Sequence, residues 1–209
     1  MSGRRLILLR HGRTAYNASR RFQGQLDPPL DETGVAQAEA AAAVLAPAMP
    51  VALVTSDLVR ASLTAQPLAA ATGLIATEDA RLREILLGEW QGLSIAEASE
   101  RFPDEAAAWR EGEDVRRGGG ETYYEVGERA VACVQDALAP LGDGELLIAV
   151  THGGTARSLI GTLIGMHHDR WSSLGPLGNC RFSYLVEAGA RGWRLVMHNS
   201  GSLEVGGIH

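Results

Sequence analysis

Two arginines and two histidines fall just after short apolar runs of the sequence, where strands are expected to end. Arg10 and His11 follow the run LILL, Arg60 comes four residues after VALVTS, and His152 follows LLIAVT. Ligands of open α/β sheets bind outside the carboxyl ends of the strands, so these side chains are expected to meet in one crevice. Guanidinium groups form paired hydrogen bonds with phosphate oxygens. The pattern therefore predicts a site for a phosphoryl group.

A histidine in such a crevice could attack phosphorus and form a phosphohistidine, which water then resolves. The departing alkoxide needs a proton, so a carboxylic acid is also required. Glu84, in the segment RLREILLGEWQG, is the expected acid, and Glu89 is a competitor that is expected to lie at the surface. Because the arginines neutralise the phosphate, we predict no metal and no other cofactor. The short run 167–169, HHD, is a poor metal site.

The basic residues of this chain of 209 residues are all arginines, 19 in number, against 25 acidic residues. The lack of lysine excludes Schiff-base chemistry and the lysine of a phosphate-binding P-loop. A net charge of -6 argues against a nucleic-acid partner. The longest uncharged stretch, 61–77, contains Pro67 and several polar residues, so no membrane partner is predicted. We expect a soluble cytoplasmic protein with two buried thiols, Cys133 and Cys180, and leave open a homodimer.

Strand-like and helix-like segments alternate along most of the chain, which favours an α/β fold with a mostly parallel sheet. Strands are expected at 5–9, 51–56, 74–77 and 146–151, helices at 32–46, 57–72 and 122–141, and a closing hairpin at 181–199. Asp57 is expected to cap the second helix, Pro67 to kink or split it, and Gly73 to end it. The stretch 11–34 is predicted to be a long functional loop, and 201–209 a loose tail.

Four segments in a fixed order carry a resemblance to a known family. LILLRHGRTAYN, TSDLVRA, LREILLGEWQG and VTHGG resemble the histidine phosphatase superfamily, in its phosphoglycerate mutase-like branch. The resemblance extends over residues 5–198. It implies a three-layer α/β/α sandwich with a mostly parallel central sheet and an α-helical insert over the active site. It further implies one domain, 1–209, in which the insert at about 93–121 serves as a specificity lid.

The same resemblance implies roles for the residues of the crevice. His11 corresponds to the phosphorylated nucleophile, Glu84 to the proton donor, and His152 to the second histidine, which contacts the phosphoryl oxygens. Arg10 and Arg60 correspond to the phosphate-binding arginines.

Further residues are expected around the phosphate. Asn17 is similar to a phosphate ligand of the family, Gln23 and Gly24 are similar to rim contacts, and Thr14 is a candidate to brace the loop. Gly153 is expected to let the backbone approach the phosphate. Two interpretations stay open for Arg116 and Arg117, in the glycine-rich end of the insert: a solvated turn, or a contact from the lid to an acidic substrate.

The segment that follows the expected acid differs between the mutases and the phosphatases of the family. Mutases of the family carry the stretch E-R-x-Y-G, whose Arg and Tyr hold the substrate carboxylate, whereas this chain has EILLG at 84–88. The resemblance therefore implies a phosphomonoester hydrolase for a small phosphorylated metabolite, with a glycosyl-3-phosphoglycerate as a candidate. The alternatives are a cofactor-dependent phosphoglycerate mutase and a catalytically silent protein that binds a phosphorylated ligand. The silent alternative is disfavoured because nucleophile, acid and arginines are all present.

Overall fold

The structure is a computed structural model that describes residues 3–203. Its strands are β1 (Arg5–Arg10), β2 (Ala52–Thr55), β3 (Ala76–Glu78), β4 (Leu146–Thr151), β5 (Phe182–Glu187) and β6 (Trp193–Ser200). They form one sheet in the order β3-β2-β4-β1-β5-β6. The first four strands pair in parallel, and β5 and β6 add an antiparallel hairpin at one edge. The predicted, mostly parallel sheet is confirmed.

The helices are α1 (Ala15–Ala18), α2 (Glu32–Leu45), α3 (Val59–Thr72), α4 (Ile95–Arg101), α5 (Pro103–Glu111), α6 (Tyr123–Leu138) and α7 (Gly153–Leu163). Successive strand residues point to opposite faces of the sheet. In β1, Ile7 and Leu9 accordingly face α2 and α3, whereas Leu6 and Leu8 face α6 and α7. All six residues of β4 are buried, as expected for a central strand with both faces covered. The predicted three-layer α/β/α sandwich is confirmed.

Some local predictions were wrong. Asp57 does not cap α3, because its carboxylate pairs with Arg83, and the helix begins after Leu58 without a side-chain cap. Of the two effects expected of Pro67, a kink or a split, the split is excluded, because α3 is continuous from Val59 to Thr72. Gly73 does end it, in the left-handed conformation.

The long loop predicted at 11–34 is not irregular throughout. The loop at 11–34 contains the short helix α1, which Thr14 begins through a capping box with Asn17. The expected loose tail lies outside the described residues beyond residue 203.

The insert contributes α4 and α5 and packs as a small core of its own. Trp90, Ala98, Ala106 and Val126 are buried there, and Trp109 packs against them. The turn at 117–119 lies against the segment that follows Glu84: a Cβ atom on Gly88 would come within 1.8 Å of the Gly118 carbonyl oxygen. Only glycine fits at position 88, which also has a positive φ of 46°. The insert is thereby tied to the segment that carries the expected acid.

Within residues 3–203, none of the helices combines the length and the apolar character that crossing a membrane requires.

Candidate active site

The carboxyl ends of β1 and β4 bring the two predicted histidines together. His11 follows β1, and its backbone N–H donates to the Thr151 carbonyl at the end of β4 over 2.9 Å. His152 is the next residue, and the centroids of the two imidazole rings are 5.1 Å apart. Both side chains are buried. The convergence that the strand ends predicted is therefore present in the structure.

His11 is held as a neutral imidazole with one ring nitrogen free to react. Its Nδ1 lies 2.7 Å from the carbonyl oxygen of Gly12, which only accepts hydrogen bonds, so Nδ1 carries the hydrogen. The lone pair is then on Nε2. Burial lowers the pKa of His11 well below its usual value, and the charges of Arg10 and Arg60 lower it further. A neutral imidazole with a free lone pair is the form that can attack phosphorus.

Arg10 and Arg60 are fixed by backbone carbonyl groups. Arg10 donates to the carbonyl oxygen of Leu177 over 2.5 Å. Arg60, which is fully buried, donates to Leu26 over 2.6 Å and to Gly24 over 2.7 Å. Carbonyl acceptors position the guanidinium groups, and the nearest carboxylate in the described part of the chain, Asp27, lies 4.0 Å from Nη1 of Arg60. The site thus presents two oriented positive charges to an incoming anion.

The two arginines keep capacity for a ligand. Their Nε atoms are buried and have no hydrogen-bond partner among residues 3–203. Burial lowers the pKa of Arg10, and it lowers the pKa of Arg60 to about 10, so Arg60 remains charged at neutral pH. Glu84 is close enough that its negative charge opposes both shifts.

His152 stands at the N-terminus of α7. Its Nε2 lies 2.9 Å from the Ser56 hydroxyl oxygen, and its Nδ1 is buried with no partner in the described part of the chain. Burial lowers the pKa of His152 well below its usual value, and Arg60 adds to the shift. Gly153 follows, and a Cβ atom there would lie 3.5 Å from Nε of Arg10. The backbone of α7 therefore begins beside Arg10.

Glu84 reaches the same helix terminus from the other side. Its carboxylate accepts the N–H groups of Gly154 over 3.1 Å and Thr155 over 3.0 Å. Glu89, the competitor, has a side chain that is 71% exposed and lies 3.7 Å from Arg101. The structure therefore brings Glu84, and not Glu89, to the histidines and arginines.

The predicted rim residues form a connected loop. Asn17 accepts from the Thr14 N–H over 3.2 Å through Oδ1, which leaves its amide N–H groups as the donors for a ligand. Gln23 accepts from the Thr14 hydroxyl over 2.6 Å, so Thr14 braces the loop as expected. Gly24 has a positive φ of 53°, and a Cβ atom there would meet the Gln91 side chain at 2.4 Å.

Two residues that the sequence did not single out support the site. Asn179 donates to the His11 carbonyl over 3.0 Å and to Oδ1 of Asn17 over 3.1 Å, which links His11 to the loop. Arg129 of α6 donates to the carbonyl groups of Arg83 over 2.8 Å and Glu84 over 3.2 Å. Both act through backbone carbonyls of residues distant in sequence, and no local motif signals such contacts.

Comparison with known proteins supports the same interpretation. The model of the histidine phosphatase superfamily (branch 1) matches residues 6–201. Glucosyl-3-phosphoglycerate phosphatase of Mycobacterium tuberculosis (strain ATCC 25618 / H37Rv) is 39% identical over 214 residues, covering 96% of each chain. A probable phosphoglycerate mutase GpmB of Yersinia pestis (strain Pestoides F) is 35% identical over 187 residues, covering 86% of this chain and 84% of its own.

Solved structures show the same relationship. The structure of mycobacterial glucosyl-3-phosphoglycerate phosphatase in complex with VO3 superimposes with a TM-score of 0.89 at 40% identity, covering 94% of this chain and 99% of that one. Bacillus stearothermophilus YhfR superimposes with a TM-score of 0.86 at 27% identity, covering 94% and 97%.

Proposed function

Because this chain belongs to the histidine phosphatase superfamily, we propose that it hydrolyses a phosphate monoester of a small metabolite through a phosphohistidine at His11. It is a phosphatase of that superfamily. The observation that carries the mechanism is the buried, neutral His11 with its free Nε2, flanked by two arginines that neutral carbonyl groups hold in place.

The reaction has two balanced steps. The substrate phosphate binds Arg10 and Arg60, and Nε2 of His11 attacks phosphorus in line as the ester P–O bond breaks. Glu84 takes up a proton as the phosphate dianion binds, and it gives this proton to the leaving oxygen. Water then attacks the phosphohistidine and returns a proton to Glu84, the P–N bond breaks, and His11 regains its lone pair. His152 and the N–H group of Gly153, the first of α7, stabilise the phosphoryl oxygens in both steps.

The proposed substrate is a glycosyl-3-phosphoglycerate, because relatives at 39% identity over nearly the whole chain carry the name glucosyl-3-phosphoglycerate phosphatase. The helical insert at about 93–121 serves as the specificity lid. A phosphate-release screen over glucosyl-3-phosphoglycerate, phosphoglycerates, sugar phosphates and phosphoamino acids tests this. We expect the highest kcat/KM on glucosyl-3-phosphoglycerate; a preference for a phosphate ester without a glycerate unit would contradict the substrate assignment.

Hydrolysis is expected to dominate over isomerisation of phosphoglycerate. In place of the Arg and Tyr of the mutase stretch this chain has apolar residues, and Ile85 and Leu87 are buried in the small core of the insert. The experiment supplies 3-phosphoglycerate with a bisphosphoglycerate primer and follows 2-phosphoglycerate and free phosphate together. Formation of 2-phosphoglycerate faster than phosphate would establish the mutase, the second candidate that the GpmB relatives suggest.

Activity is expected to be insensitive to a chelator, because arginines balance the charge of the phosphate. Among residues 3–203, no group of three or more His, Cys, Asp and Glu side chains is placed to hold a metal ion. The check is phosphate release before and after dialysis against EDTA. Loss of activity that an added divalent metal restores would overturn this prediction.

We also propose a cytoplasmic homodimer without nucleic-acid or membrane partners. Cys133 and Cys180 are both free and buried, which suits a reducing compartment. Met49, Val51 and Ile75 are exposed apolar side chains near the edge strand β3, and a second copy could cover them. Light scattering of the purified protein measures the assembly, and a strictly monomeric mass would remove the homodimer.

A further inference from the structure

The segment that carries Glu84 has no regular secondary structure of its own. Residues 84–87 belong neither to a helix nor to a strand, so a helix or a sheet does not fix their backbone. Backbone polar groups that are shielded from water need hydrogen-bond partners. The position of the Glu84 carboxyl group therefore depends on the side chains that bind the backbone around it.

One side chain, that of Arg129, binds three carbonyl oxygens of this region. Its Nη1 donates to the carbonyl groups of Arg81 over 2.7 Å and Arg83 over 2.8 Å, and its Nη2 donates to that of Glu84 over 3.2 Å. Its Nε and Nη2 also donate to the two carboxylate oxygens of Glu121, each over 2.9 Å. A guanidinium has five N–H groups, so these five hydrogen bonds use all of its donors.

Arg129 differs in this respect from the arginines of the phosphate site. Arg10 and Arg60 each keep a buried Nε without a partner in the described part of the chain, whereas every donor of Arg129 is engaged. Glu121 also balances the charge of Arg129. Burial would raise the pKa of Glu121, but hydrogen bonds from Arg129 and from the N–H of Leu86 hold it below its usual value. Arg129 is thus suited to hold a backbone and not to bind a phosphate.

A packed helix presents Arg129 and Glu121 to the segment. Glu121 stands just before α6, and Arg129 lies on that helix, whose inner face is buried. Glu121 binds the segment on the other side of Glu84: it accepts the Leu86 N–H over 2.9 Å, and its own N–H donates to the Leu86 carbonyl over 2.9 Å. Groups carried on packed helices are placed more precisely than groups on loops. The backbone is therefore held both before and after Glu84.

We propose that Arg129 is a positioning residue for proton transfer, because it fixes the backbone from which the Glu84 carboxyl group reaches the leaving oxygen. A misplacement of a catalytic group by about 1 Å can cost a hundredfold in rate. The effect of Arg129 passes through Glu84, since its own donors are all used within the protein. The inference rests on the proposed phosphatase function and on Glu84 as its acid, and deepens both.

The test uses leaving groups of different basicity. Wild type, Arg129→Met and Arg129→Lys are assayed with glucosyl-3-phosphoglycerate, phenyl phosphate and p-nitrophenyl phosphate. The matched control is Arg116→Met, which removes an ion pair with Glu125 from an arginine that is 55% exposed. We expect Arg129→Met to lose about tenfold or more in kcat on glucosyl-3-phosphoglycerate, less on phenyl phosphate and about twofold or less on p-nitrophenyl phosphate. The control should change none of the three rates.

Two further variants separate positioning from general damage. Arg129→Lys keeps the charge but lacks the planar fork with five donors, so we expect it to recover only part of the rate on glucosyl-3-phosphoglycerate. Arg129→Met is also combined with Glu84→Gln, and in that background it should add about twofold or less to the loss on glucosyl-3-phosphoglycerate. If Arg129→Met does not fold, the same comparisons are made with Arg129→Lys and with Glu121→Gln.

The outcomes distinguish this inference from the phosphatase assignment. If the wild type hydrolyses none of the three esters, the proposed function fails and the inference falls with it. If the wild type is active but Arg129→Met slows all three esters equally, the role of Arg129 is structural and the inference is wrong. It is also wrong if the losses of Arg129→Met and Glu84→Gln multiply in the double variant, because Arg129 would then act independently of the acid.

Discussion

Replacement of His11 by alanine is expected to abolish phosphate release from every substrate, with a loss of roughly four orders of magnitude or more. The reason is that no other neutral nucleophile is held at the end of β1 with a free lone pair. The Nδ1 contact with the Gly12 carbonyl orients the ring, and burial, with smaller contributions from the charges of Arg10 and Arg60, keeps the imidazole neutral. A steady-state assay of inorganic phosphate measures the loss.

Detection of a phosphohistidine distinguishes attack by His11 from direct attack of water on the substrate. After a rapid quench in alkali, where phosphohistidine survives, mass spectrometry should find the phosphoryl group on His11 in the wild type. His152→Ala should retain at most a small remnant of activity, because it loses stabilisation of the phosphoryl oxygens but keeps the nucleophile. Turnover of the His11→Ala protein near the wild-type rate would refute the mechanism.

The central strands of the sheet could be predicted because each is an uninterrupted apolar run. The runs LILL and LLIAVT are buried on both faces in adjacent parallel strands, so each is apolar without interruption and easy to recognise. The site residues could be predicted for a related reason: Arg10, His11 and His152 stand directly at the ends of those strands. The apolar runs of these strands and the polar residues that follow them are both visible in short stretches of sequence.

What the sequence did not predict depends on long-range partners. Aspartate is a common helix-capping residue, but the carboxylate of Asp57 pairs with Arg83, which lies 26 residues further along the chain. Asn179 joins the site from beyond α7, and Arg129 reaches the Glu84 loop from α6. Arg116 and Arg117 are neighbours of the same residue type, and only the packing of Trp109 and Tyr123 distinguishes the buried one from the exposed one.

Replacement of Glu84 by glutamine is expected to affect substrates according to their leaving groups. A sugar or glycerate alkoxide is a poor leaving group and needs a proton as the P–O bond breaks, whereas p-nitrophenolate is a stable anion and hardly needs one. Glu84→Gln should therefore lose roughly a hundredfold or more in kcat on an alkyl phosphate and much less on p-nitrophenyl phosphate. Both rates are measured on the same protein preparation.

Two substrates must be compared because the carboxylate of Glu84 also has a structural role. It accepts the N–H groups of Gly154 and Thr155, and a glutamine keeps only one oxygen for these two donors. A disturbance of α7 would slow both substrates together, but the loss of a proton donor slows only the one with the poor leaving group. Glu89→Gln, at an exposed carboxylate in the same segment, should change neither rate. If Glu89→Gln showed the selective loss and Glu84→Gln did not, the two carboxylates would exchange roles. The phosphate site would remain unchanged, since it rests on Arg10, Arg60 and the two histidines.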